Sequence, residues 1–498
     1  MKKYLKSYRL QLVKAAIVAI PLFASITSCK KETLQIAPEL SLPDVSAYET
    51  PARIEALVTG LYSTAKSGSL FGGRYQIYND IRAEEFINRT SNGVTGSTVY
   101  NSTNNNGDTY VGNFWNQGYL LINRVNVFLD GLEANKSKLT QAQYDQFSSE
   151  AKFLRGLTYF SLVQIFAKPY ISNAGASRGL PLRLLPEIST ANNILKSSSV
   201  AEIYTQILKD LDAAETGLPN TYSTALLRTT RAHKNTAIAL KTRVYLTMGN
   251  YAKVVEEGDK IVPATAPFST SARAPHALAA SLRAVFTAPY TTSESIFSFP
   301  FAATNAPGTQ NQIGYYFSWD GGGNLDYAIN TTTGTYSGIY TDPIWPASDA
   351  RKTSALISTA TISGTLYTYP TKHSAVSPFV DYVTMIRYAE VLLNVAEAEA
   401  LRTGGNLVRS RALLDAVRKR SDATYDFGVL ATGAQLADVI LKERRIELLM
   451  EGFRYNDIAR KNLPLKSFGA NATIPVADVR YTFPIPAQEI ISNPAAEW

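Results

Sequence analysis

Apolar residues recur at three- and four-residue spacing in two long parts of the chain, and that period predicts helices. The first block holds Trp115 to Ala134, Gln141 to Phe166, Val200 to Leu218 and Ala232 to Thr247. Within Gln141 to Phe166, the residues Phe147, Leu154, Leu157 or Thr158, Ser161 and Ile165 fall on one stripe that predicts a buried face. Lys168-Pro169 closes that helix, because proline lacks the N–H that the next turn needs. Ser199-Val200-Ala201-Glu202 has the form of a capping box, and Gly249-Asn250 reads as a short joint between antiparallel helices. The second block runs from Val383 to Leu401, Leu407 to Lys419 and Thr432 to Met450, with a shorter piece at Tyr455 to Lys461. Met385, Tyr388, Leu392 and Val395 make its first apolar stripe, and the small Ala396, Ala398 and Ala400 beside it permit close helix approach.

Paired helices with Tyr and Ala at their contacts are similar to tetratricopeptide-type repeats, although no strict repeat period is visible. The fold expected is mainly α: a tetratricopeptide-like helical repeat scaffold with long irregular loop insertions. The helical blocks cover about 115–262 and 383–461, and the insertions about 67–114 and 263–380. Both insertions are rich in Gly, Ser, Thr, Asn and Tyr, with short β-like runs such as Ser295 to Phe301. Loops of this length are uncommon inside a domain and are usually functional.

The first residues point to export. Lys2, Lys3, Lys6, Arg9 and Lys14 precede an apolar run from Ala15 to Ala24, broken by Pro21. That run of about ten residues is too short to span a bilayer and reads as a signal peptide. Ile26-Thr27-Ser28-Cys29 resembles the lipobox of bacterial lipoproteins, which makes Cys29 the expected lipidation site. Cys29 is the only cysteine, so neither an intrachain disulfide nor a multi-cysteine metal site can form. The expected organisation is a signal peptide at 1–28, a lipid-anchored linker at 29–45 and one domain at 46–498.

Charge changes the picture once the leader is removed. The full chain carries +8, but residues 1–28 hold five basic side chains and no acidic one, leaving +3. No basic stripe with interleaved aromatics occurs, which argues against nucleic acid as a partner. The chain has 29 Tyr, whose rings stack or bury while their hydroxyls stay satisfied at a wet surface.

Ala151 to Val163, with the run Ala-Lys-Phe-Leu-Arg-Gly-Leu-Thr-Tyr-Phe, resembles the SusD/RagB family of outer-membrane nutrient-binding lipoproteins. The resemblance continues in order through Gly179 to Leu182, Ser199 to Leu211, Lys241 to Leu246, Arg387 to Leu393, Glu443 to Leu448, Glu451 to Asp457, Pro484-Ile485-Pro486 and Asn493-Pro494. One departure is Lys234-Asn235-Thr236, where the family more often has alanines. The resemblance implies four tetratricopeptide-like units, no catalysis, an oligosaccharide ligand (in some branches a peptide), and no cofactor. It also implies an outer-membrane, lipid-anchored position facing the exterior, and a SusC-type TonB-dependent transporter barrel as partner. A peptide binder and a transporter-docking scaffold without its own ligand are the alternative readings.

Sugar rings present apolar C–H faces and outward hydroxyls, so a binder needs aromatic planes flanked by polar side chains. The insertions supply Arg74, Tyr75, Tyr78, Asn79 and Asp80 in the first, and Tyr315, Tyr316, Trp319, Asp320, Tyr340 and Trp345 in the second. These are the expected ligand residues, chosen by residue type and loop position. Trp115 and Trp498 are assigned to packing. Asp320, Asn324 and Asp326 sit in a glycine-rich turn that offers a calcium candidate, with a plain turn as the alternative. Glu443, Glu447 and Glu451 share one helix face and read as an ion-pair network with Arg444, Arg445, Arg454 and Arg460, in preference to a metal or acid–base site. His233, His276 and His373 have no spacing that builds a metal site or a triad, and no hydrolase or phosphate-loop motif occurs.

Overall fold

A computed structural model describes residues 44–317, 323–375, 377–467 and 472–497. The chain divides into two units, Met1–Ile54 and Glu55–Trp498; the expected signal peptide, Cys29 and most of the expected linker lie outside the described residues. The main helices are α1 (Pro51–Ala65), α2 (Arg74–Ile81), α3 (Thr109–Ala134), α4 (Gln141–Phe166), α5 (Val200–Gly217), α6 (Lys234–Thr247), α7 (Tyr251–Gly258), α8 (Ile313–Phe317), α9 (Tyr388–Leu401), α10 (Leu407–Ser421), α11 (Gly433–Glu447) and α12 (Arg454–Arg460). Among the described residues, no helix is long and apolar enough to cross a membrane.

Helix α4 is the spine of the first block. It starts on a Thr140–Gln143 capping box and ends at Phe166, two residues before Lys168. From Phe147 to Phe166 nearly every residue is buried, so it carries no single stripe: α3 and α5 cover it from different sides. Arg155 crosses to α5 with two bonds of 2.8 and 2.7 Å to Asp210, and reaches Asn126 of α3 at 2.8 Å. Ser199 and Glu202 form the expected capping box on α5. Asn250 caps α7 after Gly249, which sits at a φ of 72° that glycine adopts freely. The two blocks meet where Arg243 of α6 grips Glu390 of α9, with both bonds 2.6 Å.

The strands are short and pair antiparallel. They include β1 (Phe86–Asn88), β2 (Arg178–Pro181), β3 (Ser197–Ser199), β4 (Ser295–Phe299), β5 (Tyr327–Ile329), β6 (Ile357–Ile362), β7 (Thr365–Pro370) and β8 (Val383–Arg387), with a last pair at Leu465–Ser467 and Ala472–Ile474. β1 pairs with β5, β2 with β3, β4 with β8 and β6 with β7. Strand β8 corrects the expectation of a helix from Val383. Val383, Thr384 and Ile386 are β-branched, and their backbone pairs with β4 instead of coiling, so Met385 belongs to a strand and α9 begins at Tyr388. The first insertion is also less irregular than expected, because α2 lies wholly buried within it.

Glu443, Glu447 and Glu451 form a buried ion-pair network, as expected, but with other cations. Glu443 meets Arg351 at 2.6 Å and Arg418 at 2.5 Å. Glu447 meets Arg351 at 2.8 Å, Arg387 at 2.5 Å and Arg420. Glu451 meets Lys372 and Arg387, each at 2.7 Å. The network bolts the second insertion, through Arg351 and Lys372, onto α11. The arginines expected there face elsewhere. Arg444 meets Asp457, Arg445 meets Glu85, Arg454 meets Glu84, and Arg460 meets Glu397. Neighbours in sequence diverge by about 100° on a helix, so Arg444 and Arg445 cannot share the face of Glu443.

His233 and His276 stack inside the core with ring centroids 5.5 Å apart. Burial pushes their imidazoles down, to about 3 for His233 and about 4 for His276, and lowers His373 as well. Each ring stays neutral in the fold but protonates in the unfolded chain below about 6.5. Stability from this source is therefore complete above pH 6.5 and falls as the pH drops, by roughly 2 kcal/mol each for His233 and His276 at pH 5. Asp80 works in the opposite direction, since burial raises its carboxyl to about 8. The clean readout is the rings themselves: in NMR spectra of the folded protein, neither His233 nor His276 titrates between pH 8 and 5. A ring with a midpoint near 6.5 would contradict its burial.

Candidate functional site

The expected residues of the first insertion are not on the surface. Arg74, Tyr75, Tyr78, Asn79 and Asp80 are at most 4% exposed, because α2 is enclosed by other elements. Tyr75 donates to Gln164 at 3.2 Å, Asn79 donates to the Tyr75 carbonyl at 2.7 Å, and Asp80 accepts from the Gly452 N–H at 2.9 Å. Arg74 bonds the Tyr78 hydroxyl at 3.1 Å, the Gln310 carbonyl at 3.0 Å and Asn311 at 2.8 Å. These residues are the floor on which the second insertion is laid. Gly68 and Gly73 let it approach: a Cβ there would stand 2.0 Å from the Pro307 carbonyl oxygen and 1.8 Å from that of Asn311.

Within the second insertion, Tyr316 and Trp345 are also buried. Tyr316 donates to the Gln310 carbonyl at 2.8 Å. Tyr340 and Trp345 close around Lys352, whose ammonium donates to both their carbonyls at 2.7 and 2.8 Å and lies 4.5 Å from the Tyr340 ring centre. Their π faces meet this half-buried cation, and Trp345 is buried, which corrects its assignment to an open ligand face, while Tyr340 stays half-buried. Trp319, Asp320 and Trp498 lie outside the described residues. Asn324 donates to Asp326 at 2.6 Å, and Arg89 takes the Asn324 and Leu325 carbonyls at 2.7 and 3.0 Å. The Asn324 amide and the Thr90 hydroxyl thus both donate to one Asp326 oxygen, Asp320 lies outside the described residues, and the described residues contain no cluster of three or more metal-type side chains.

Tyr315 is the expected residue that does reach a partly open aromatic surface. It lies on α8, its ring edge-on to Phe379 at 5.8 Å. Gly314 beside it allows this approach, for a Cβ there would touch Phe379 and the His373 carbonyl at 3.3 Å and come within 3.9 Å of Asp381. Tyr290 and Tyr382, both half-buried, stack with centroids 4.8 Å apart and planes 27° from parallel. The Tyr290 hydroxyl donates to Asp381 at 3.2 Å, and the other Asp381 oxygen accepts from the Ala375 N–H at 2.9 Å. Burial, with Asp381 beside it, pushes the Tyr290 phenol well above its ordinary value, so it remains a neutral donor.

Backbone strain marks the same place. Four of the ten non-glycine residues with positive φ, among those described, are Tyr290 (61°), Gln310 (58°), Leu325 (55°) and Phe379 (60°). Gln310 approaches the Tyr315 hydroxyl at 3.5 Å, and the Leu325 N–H donates to the Tyr315 carbonyl at 3.4 Å. Phe379 meets Tyr315 of α8 directly, and Tyr290 bonds Asp381, which lies beside Gly314 of α8. Each such residue costs about 1 kcal/mol or more, and such strain concentrates at ligand clamps. Tyr290, Phe379, Asp381 and Tyr382 escaped the sequence reading. Tyr290 sat unremarked in the second insertion, and Asp381-Tyr382 fell just before a segment expected to be helical.

Two family descriptions match the chain: starch-binding associating with outer membrane over residues 34–246, and the SusD family over residues 234–497. A SusD-like protein from Formosa agariphila is 26% identical, with 96% of this chain and 98% of that protein aligned. A SusD superfamily protein from Bacteroides fragilis superposes with a TM-score of 0.79 at 32% identity, over 90% of this chain and 99% of the other. A laminarin-binding SusD-like protein superposes with a TM-score of 0.69 at 23% identity, over 90% and 98%.

Proposed function

Because this chain belongs to the SusD family, we propose that it is a non-catalytic glycan-binding lipoprotein of the outer membrane, whose ligand stacks on Tyr290, Tyr382 and Tyr315. Cys29 carries the lipid, and a SusC-type TonB-dependent barrel receives the captured oligosaccharide. The supporting observation is the partly open tyrosine platform, with buried Asp381 bracing the Tyr290 hydroxyl and the half-buried amide of Gln310 at its edge, on a backbone strained into place. Rings of this kind match the C–H face of a pyranose, and the polar groups match its hydroxyls. The face is shallow, so affinity is modest: much of the ligand stays in water. Proteins of this kind need a rigid floor, and α2 with Arg74 supplies one.

The reading is tested with the chain from residue 30 onward, run in native gels that contain soluble polysaccharides, starch and laminarin among them. At least one polysaccharide retards it. Retention by peptides alone would replace the glycan reading, and binding to neither would favour a docking scaffold.

A further inference from the structure

A cleft of about 330 Å³ opens beside the end of α1, lined by Tyr62, Ser63, Lys66, Leu227, Phe299 and Pro300, among others. Its size falls within the range of ligand pockets. The charges in it are unevenly matched. Arg231 is fully engaged, with Glu150 at 2.7 Å and Glu55 at 2.5 Å. Glu150 also accepts from the Tyr62 hydroxyl at 2.7 Å. Lys66 forms no ion pair with any described residue. Its ammonium donates to the Pro300 carbonyl at 2.8 Å and stands 5.0 Å from the Phe301 ring centre. Burial lowers its pKa, with no carboxylate offsetting the cost. A half-buried cation held only by neutral partners at the edge of a cleft is electrostatically incomplete, and an anion that enters gains a charge-assisted bond.

We propose that this cleft is an acidic-sugar subsite, in which Lys66 receives the carboxylate of a uronic acid. This rests on the glycan-binding reading above and extends it. Leu227 and Pro300 offer the apolar wall for the ring, while the exposed Ser63 and Asn305 side chains offer hydroxyl partners. The connection from Pro300 to Gln310 borders the cleft at one end and the tyrosine platform at the other, so one polymer has a continuous strip of chain to follow.

The test is calorimetric titration with tetra-galacturonate, its methyl ester (the same rings without charge) and a tetra-alanine peptide as a second carboxylate. The acid binds about tenfold more tightly than the ester, and rising salt erases the difference. Lys66→Met removes it, Lys66→Arg keeps it, and both variants melt at the parent temperature. Equal binding of acid and ester, an unchanged preference in Lys66→Met, or Lys66-dependent binding of the peptide in place of the sugar would each overturn the assignment. Neutral glycans that depend on Tyr290 and Tyr382 are unaffected by Lys66→Met, so failure here is distinguishable from failure of the platform.

Discussion

Glu447→Ala destabilises the fold by about 3–5 kcal/mol, the range for stripping one partner from a buried ion pair. Glu447 is fully buried and shared by Arg351, Arg387 and Arg420. Burial alone would raise its carboxyl, yet Arg420, Arg387 and Arg351 together hold it well below the usual carboxylate range. Removing it leaves three guanidinium groups in a region sealed from water, with Glu443, Asp349, Glu294 and Glu451 as their remaining counter-charges. Urea denaturation of the chain from residue 30 onward reads the loss as a lower midpoint. Arg351 belongs to the second insertion, so the variant also loosens that segment. A loss below about 1 kcal/mol would mean that the network is decorative, as isolated surface pairs often are. Exposed Lys253, paired with Glu256 on α7, is the natural control, and Lys253→Ala changes stability little.

Replacing both Tyr290 and Tyr382 with alanine removes the proposed glycan-binding face and weakens binding by about thirtyfold or more. Each ring contributes roughly 1 kcal/mol or more through buried area and ring geometry, and each 1.4 kcal/mol is tenfold in affinity. The two rings stack on each other, so their effects are coupled. Either single variant therefore loses more than half of what the pair loses, since the remaining ring is no longer held. Asp381→Asn keeps the shape and the bond to Tyr290 but removes the acceptor of the Ala375 N–H, and it costs less glycan affinity than the double variant. The polypeptide stays folded throughout, because both rings are only half-buried.

The helical frame was readable because burial imposes a period. Gln141–Phe166, with Lys168-Pro169 beyond its end and Thr140 before it, is bounded as periodicity and proline chemistry dictate. Val383–Arg387 was misread because a five-residue strand buried on both faces carries apolar residues that also fit a helical stripe. The acidic face of α11 was legible as structural, but its partners were not. Arg351, Arg387, Arg418 and Arg420 are brought in by tertiary packing, which no local spacing encodes. The ligand face was the least legible part. Arg74 and Tyr78 have the residue types of a sugar site, but α2 is enclosed and they became its floor. Trp345 and Tyr340 were spent on Lys352. Residue type identifies what can stack on a sugar; exposure decides what does, and exposure in long insertions depends on how they fold back on the frame.

The central claim is that ligand is held on the stacked tyrosines beside α8, and isothermal titration addresses it directly. The glycan most strongly retained in the gels is titrated into the parent chain and into Tyr290→Ala/Tyr382→Ala. The account predicts measurable heat from the first and an affinity lower by about thirtyfold or more in the second. Equal affinities in two equally folded proteins would place the sugar elsewhere and contradict it.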